Sequence, residues 1–196
     1  MYFGSGCDRR GVRKGDDLKI DRETMDKLRT GAITALDGLW FLAVESRMGF
    51  EAALEMDLEV WKAYGSVLLK RVARALGMEL DPSSPPDMRA VCELLAAACQ
   101  VDGTGCHFEM GAEGECVFTV HRCPWWENLR ASGREGRVDC ELVDNTVFRE
   151  WLLRLDPSIE MEITRSMPRG DDRCVWILRK AGGAGRHQGS IPDGRK

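Results

Sequence analysis

An α+β fold is predicted, with an N-terminal helical layer packed on a small four-stranded antiparallel sheet and further helices between the hairpins. Three observations predict it. From Ile33 to Leu76 apolar residues recur at i, i+3, i+4 spacing, the period of helices that bury one face. Near Gly103 the period drops to two, in short extended runs bounded by glycine and proline. No segment repeats another, so a solenoid is excluded.

The elements follow in order. Residues 1–19 are rich in Gly, Arg and Asp without periodicity and are expected to form a flexible arm. Residues 20–180 are expected to form a single α+β domain, helical over 20–100 and sheet-forming over 101–180. Asp21, with Glu23 in the first turn, is a plausible N-cap for a short helix ending near Arg29. A second helix is marked by Ile33, Leu36, Trp40, Phe41 and Val44, which share its expected buried face, and Gly49 stops it. A third runs from Phe50 to Leu76. The stretch from Asp81 to Pro86 carries three prolines and must be a connector. A fourth helix spans Asp87 to Ala98.

Strands are predicted over Cys106–Met110 and Glu115–His121, joined by the turn Gly111–Gly114. Pro124 opens a helix over Trp125–Ser132. Another helix spans Asn145–Leu155, and the last strands span Ile159–Ser166 and Cys174–Lys180. Residues 181–196 are Gly-rich and expected to be disordered.

Composition narrows the function classes. The 196-residue chain has a net charge of −4, which argues against a surface that tracks nucleic-acid phosphates. No apolar run approaches the roughly 20 residues that cross a bilayer, and the N-terminus lacks the apolar core of a signal peptide. A cytoplasmic protein is therefore expected. In that setting the eight cysteines read as thiols, metal ligands or catalytic groups, which composition does not separate. GxGxxG, GxxxxGK[ST], HExxH and GxSxG motifs are all absent, so nucleotide chemistry has no support.

Cys123, Cys140 and Cys174 each stand at the end of a predicted element, where they could converge at one edge of the sheet. Cys123 precedes a helix N-terminus, whose free N–H groups favour a thiolate. Cys140 lies in the connector before the next helix, with Asp144 close by. Three thiolates with His121 or Asp144 suit zinc or another soft-ligand metal, an iron–sulfur group included, although the spacing is not a CxxC pattern. The competing reading is that these thiols only pack as small hydrophobes. Cys92 and Cys99 share a helix face and are read as core. Cys106 and Cys116 could face each other across the first hairpin.

Asp37 forms the second constellation. It falls among apolar residues with Phe41 one turn on, so its carboxylate points near the buried side, where it must be paired, neutralised or bound. Gly38 beside it, in mid-helix, marks close packing or ligand approach. Of the adjacent Trp125 and Trp126, one is expected to line a cleft.

The run Leu36-Asp37-Gly38-Leu39-Trp40-Phe41-Leu42-Ala43-Val44-Glu45, followed by Gly49-Phe50-Glu51-Ala52-Ala53-Leu54, resembles an uncharacterised prokaryotic domain family whose members open with a similar DGLWF helix. The pattern Cys123-Pro124, Cys140, Asp144 and Cys174 is similar to L-2-amino-thiazoline-4-carboxylate hydrolases. The resemblance implies a cytosolic prokaryotic protein that hydrolyses a C–N bond in a small sulfur heterocycle. The chain departs from the pattern at Leu36, where relatives often carry histidine, and that weakens a metal assignment on this helix. The sequence thus leads to a small-molecule enzyme with a thiol-lined pocket between the helical layer and the sheet. In it Cys140, Asp144 and Asp37 are candidate catalytic residues, and Cys123, Cys140, Cys174 and His121 candidate metal ligands. A non-catalytic metal- or ligand-binding sensor domain is the alternative. A small-molecule ligand and a homodimer are the expected partners.

Overall fold

The computed structural model describes residues 20–81, 83–111 and 114–181. The arm and almost all of the tail expected from the sequence lie outside them. The chain runs α1 (Arg22–Met48), α2 (Phe50–Ala75), α3 (Met88–Val101), β1 (Gly105–Met110), β2 (Cys116–Arg122), α4 (Pro124–Ala131), α5 (Cys140–Leu155), β3 (Ile159–Arg165), a short 3₁₀ turn over Met167–Arg169, and β4 (Cys174–Lys180). The strands form one antiparallel sheet in the order β1-β2-β4-β3. The fold is α+β, as the change of period predicts.

One sheet face is wet and the other carries the core. Cys116, Phe118 and Val120 of β2 face inward beside Cys174, Trp176 and Leu178 of β4, and all six are buried. Phe118 pairs with Trp176 in the ladder, and their rings stack at 5.4 Å and 7°. Val91, Cys92, Leu94, Leu95 and Ala98 of α3 pack on this face, as do Val147, Trp151 and Leu152 of α5. Helix α2 covers both helices with Leu68, Leu69 and Val72, and α1 packs outside against α2. Gly65 lets α2 approach α5, because a Cβ there would stand 1.8 Å from the Trp151 indole nitrogen. That nitrogen donates to the Trp61 carbonyl at 3.1 Å.

Two expectations are corrected. The two helices predicted over 21–29 and from Ile33 are one continuous helix, since Thr30-Gly31-Ala32 contains nothing that breaks the hydrogen-bond ladder. Asp21 caps it as expected, accepting from the Thr24 N–H at 2.7 Å. The face assigned to its core is also different. Ile33, Phe41 and Val44 are half-buried, but Leu36 and Trp40 are exposed, and Thr34 is the buried residue of the helix.

Candidate functional site

A cavity of about 700 Å³ lies between α1, α2, α4, α5 and the sheet. Trp61, Trp125, Trp126, Phe148, Trp151 and Trp176 supply much of its wall, and the carboxyls of Asp37, Asp57, Asp102 and Asp144 line it together with Cys99, Cys123, Cys140 and Cys174. Both Trp125 and Trp126 line it, where the sequence expects only one.

Asp37 enters from α1. Its Oδ1 accepts the Trp61 indole N–H at 2.9 Å and its Oδ2 accepts that of Trp125 at 3.0 Å, so α1 is tied to α2 and α4 through one carboxyl. The two donor rings meet edge to face at 5.0 Å. Asp57 of α2 neighbours Asp37 in the cavity wall. Burial first, then the charge of Asp37 and a hydrogen bond with it, push Asp57 up to about 7. Asp57 Oδ1 is buried and has no hydrogen-bond partner among the described residues. Asp102 accepts the Tyr64 hydroxyl at 2.9 Å. Burial raises it to about 6, against the opposing hydrogen bond from Tyr64. Asp144 is pushed up to about 7 by burial and then by the charge of Glu141. Burial thus shifts two cavity carboxyls, Asp57 and Asp144, toward the protonated form near neutral pH.

The thiols are arranged by short local motifs. Asp139 caps α5 by accepting the N–H groups of Glu141 and Leu142 at 3.1 Å. The helix thus begins at Cys140, about a turn earlier than the sequence suggests, which brings Cys140 and Asp144 onto one helix facing the cavity. Cys123 is the N-cap of α4, with its sulfur accepting the Trp126 N–H at 3.5 Å. The expected thiolate does not follow. Burial pushes Cys123 up to about 12 and outweighs the helix N–H groups. Burial, followed by the Asp144 charge, does the same to Cys140, and burial likewise raises Cys174. All three hold their protons at neutral pH.

Cys123, Cys140 and Cys174 share the cavity wall, yet among the described residues no group of three His, Cys, Asp or Glu side chains is placed to hold an ion. His121 is exposed and pairs with His107 at 5.9 Å between ring centroids. Strand alternation after Val120, which lines the cavity, sends His121 to the other face. Cys106 and Cys116 do not oppose each other either, for Cys106 pairs with Val120 and Cys116 with Met110. Instead Cys106 lies beside Cys99 and Cys116 beside Cys92 of α3, and the Cys106 thiol donates to the Ala96 carbonyl at 3.7 Å.

Sequence reasoning missed Asp57, Asp102 and Tyr64. Asp57 lies four residues before Trp61, so both stand on one helix face, and that was the available signal.

These features define an α+β protein with a tryptophan-walled cavity that gathers carboxyls and thiols between its helical layer and its sheet. A family of unknown function (DUF6125) matches residues 21–177, and the chain belongs to that family. No curated protein matches the chain.

Proposed function

We propose that the cavity is the active site of a hydrolase that opens a C–N bond in a small, sulfur-containing nitrogen heterocycle. The observation that carries this reading is the Asp37–Asp57 pair. Two indole N–H groups hold Asp37 as an acceptor on both oxygens, while its neighbour retains a proton near pH 7. Two carboxyls whose surroundings divide them into a proton donor and a proton acceptor suit general acid–base hydrolysis. In the proposed step Asp37 takes a proton from water as its oxygen bonds the electrophilic ring carbon. The C–N bond breaks and its electron pair stays on nitrogen, which takes the proton of Asp57. The trapped proton then passes between the carboxyls, and one water is consumed. The buried Trp176 indole N–H, without a partner among the described residues, is available to a ligand acceptor.

The similarity of Cys123-Pro124, Cys140, Asp144 and Cys174 to thiazoline-carboxylate hydrolases supports the substrate class. The thiols act here as a polarisable wall, and the acid–base role passes to the carboxyls. The protonated thiols also favour a second reading, a non-catalytic ligand-binding sensor, because they offer no ready nucleophile.

The test incubates the full chain with 2-aminothiazoline-type heterocycles and follows ring opening by mass spectrometry. The wild type should turn over, and Asp57→Asn should lose about 10²–10⁴-fold in kcat while calorimetric binding persists. Binding without turnover by the wild type would select the sensor, and neither binding nor turnover across the panel would sink both readings.

A further inference from the structure

Four aspartates line the cavity, and among the described residues its one basic lining residue, Arg134, is bound to Glu45 at 2.6 Å. Asp37 is taken by two indoles, with Asp57 as its neighbour, and Asp102 by the Tyr64 hydroxyl. Asp144 is different. Its carboxyl has no hydrogen bond or ion pair among the described residues. Only burial and the Glu141 charge act on it, and both oppose its ionisation. Helix α5 places it at the edge of an aromatic cluster. Asp144 stands one turn before Phe148, and both line the cavity with Val147 and Trp151. The Phe148 ring lies 5.0 Å from that of Trp151 at 67° and 4.6 Å from that of Trp176 at 44°. Trp176 is 2% exposed and lines the same cavity, and its indole N–H is the unpartnered donor noted above.

We infer that the cavity takes its ligand as an organic cation of the amidinium type, with Asp144 as the counter-charge and Phe148, Trp151 and Trp176 as its aromatic surround. An aromatic ring carries negative charge on its face, so a desolvated cation gains from such walls and an anion loses. A carboxylate in the same wall adds charge-assisted hydrogen bonds. A planar amidinium offers two N–H donors to its two oxygens, as a guanidinium does. The cation brings the charge that the wall lacks, and so offsets the desolvation that keeps Asp144 protonated. The Trp176 N–H is left for an acceptor atom elsewhere on the ligand. A metal ion is the poorer occupant, because no three ligating side chains converge among the described residues and a hard ion holds its water against indole walls. A 2-aminothiazoline ring contains the amidine group. The inference therefore narrows the substrate of the proposed hydrolysis to its cationic form, and it rests on that reading in taking the cavity as the substrate site.

Calorimetric titration of the full chain at neutral pH with benzamidinium, benzamide and benzoate, three ligands of similar shape and different charge, tests this. Benzamidinium should bind on the order of tenfold tighter than benzamide, with benzoate the weakest. Asp144→Asn keeps the shape of the side chain and removes its charge. It should abolish most of that preference by weakening benzamidinium alone, with far- and near-UV spectra unchanged. Should that variant not fold, Phe148→Leu takes its place and should weaken benzamidinium several-fold more than benzamide. Benzamide binding as tightly as benzamidinium would overturn the inference, as would tighter binding of benzoate, binding of none of the three, or a preference that survives the substitution. Because the readout is binding, the two readings fail separately. Ring opening without a preference for the cation sinks this inference alone, and a preference for the cation without ring opening supports it while the hydrolase reading falls.

Discussion

Asp57 sits one helical turn before Trp61 and faces Asp37 across the α1–α2 contact. In the folded chain its value stands at about 7, above the ordinary 3.8. The native state therefore binds more protons than the unfolded chain between those values. The stabilisation is complete below about pH 4 and is lost as pH rises through about 7. Asp144 acts in the same direction over the same window, and Asp102 up to about 6. In Asp57→Asn, the fall of the urea midpoint between pH 4 and pH 7 should become shallower than in the wild type, and an unchanged slope would disprove the assignment. Asp37 was legible in the sequence because it stands alone among apolar residues. Asp57 was not, because it lies between Glu55 and Glu59 and looks like part of a solvated helix face until α1 covers it. The thiols show the opposite error. Their place at element ends was legible, but the surrounding burial that keeps them protonated depends on side chains distant in sequence.

Between elements, α2 and α5 approach closely at Gly65. A methyl group there would overlap the Trp151 indole, which is itself buried and bonded to the Trp61 carbonyl. Gly65→Ala should cost about 1–3 kcal/mol by forcing the helices apart, measured by chemical denaturation, despite alanine's better helix propensity. Nothing in the local sequence marks Gly65, because its partner lies far along the chain. The start of α5 is a different case, since Asp139 is an N-cap that the sequence allowed but did not single out. Asp139→Ala should lower stability by about 1 kcal/mol and fray the turn that holds Cys140, seen as faster exchange of the Glu141 and Leu142 amides. Where local chemistry decides, as at Asp21 before α1 and Pro124 in α4, the boundaries agree with the sequence to within about two residues.

Across the whole molecule, the helical first half and the strand-bearing second half were legible because the hydrophobic period first drops to two near Gly103. What the sequence hides is which side of α1 meets the rest of the chain. Both sides of its middle are apolar, so periodicity cannot choose between them, and the choice falls to contacts made by distant groups. Two such contacts are visible. Asp37 binds the indoles of Trp61 and Trp125, and Glu45 binds Arg134 at 2.6 Å and Arg137 at 3.0 Å, with the Arg137 guanidinium 4.7 Å above the Phe50 ring. The first of these contacts has a spectroscopic consequence. The two groups that hold the Asp37 carboxyl are fluorophores, and their emission responds to the charge and polarity beside the ring. The cavity thus carries its own unlabelled optical reporter at the point where a ligand would displace or neutralise that carboxyl.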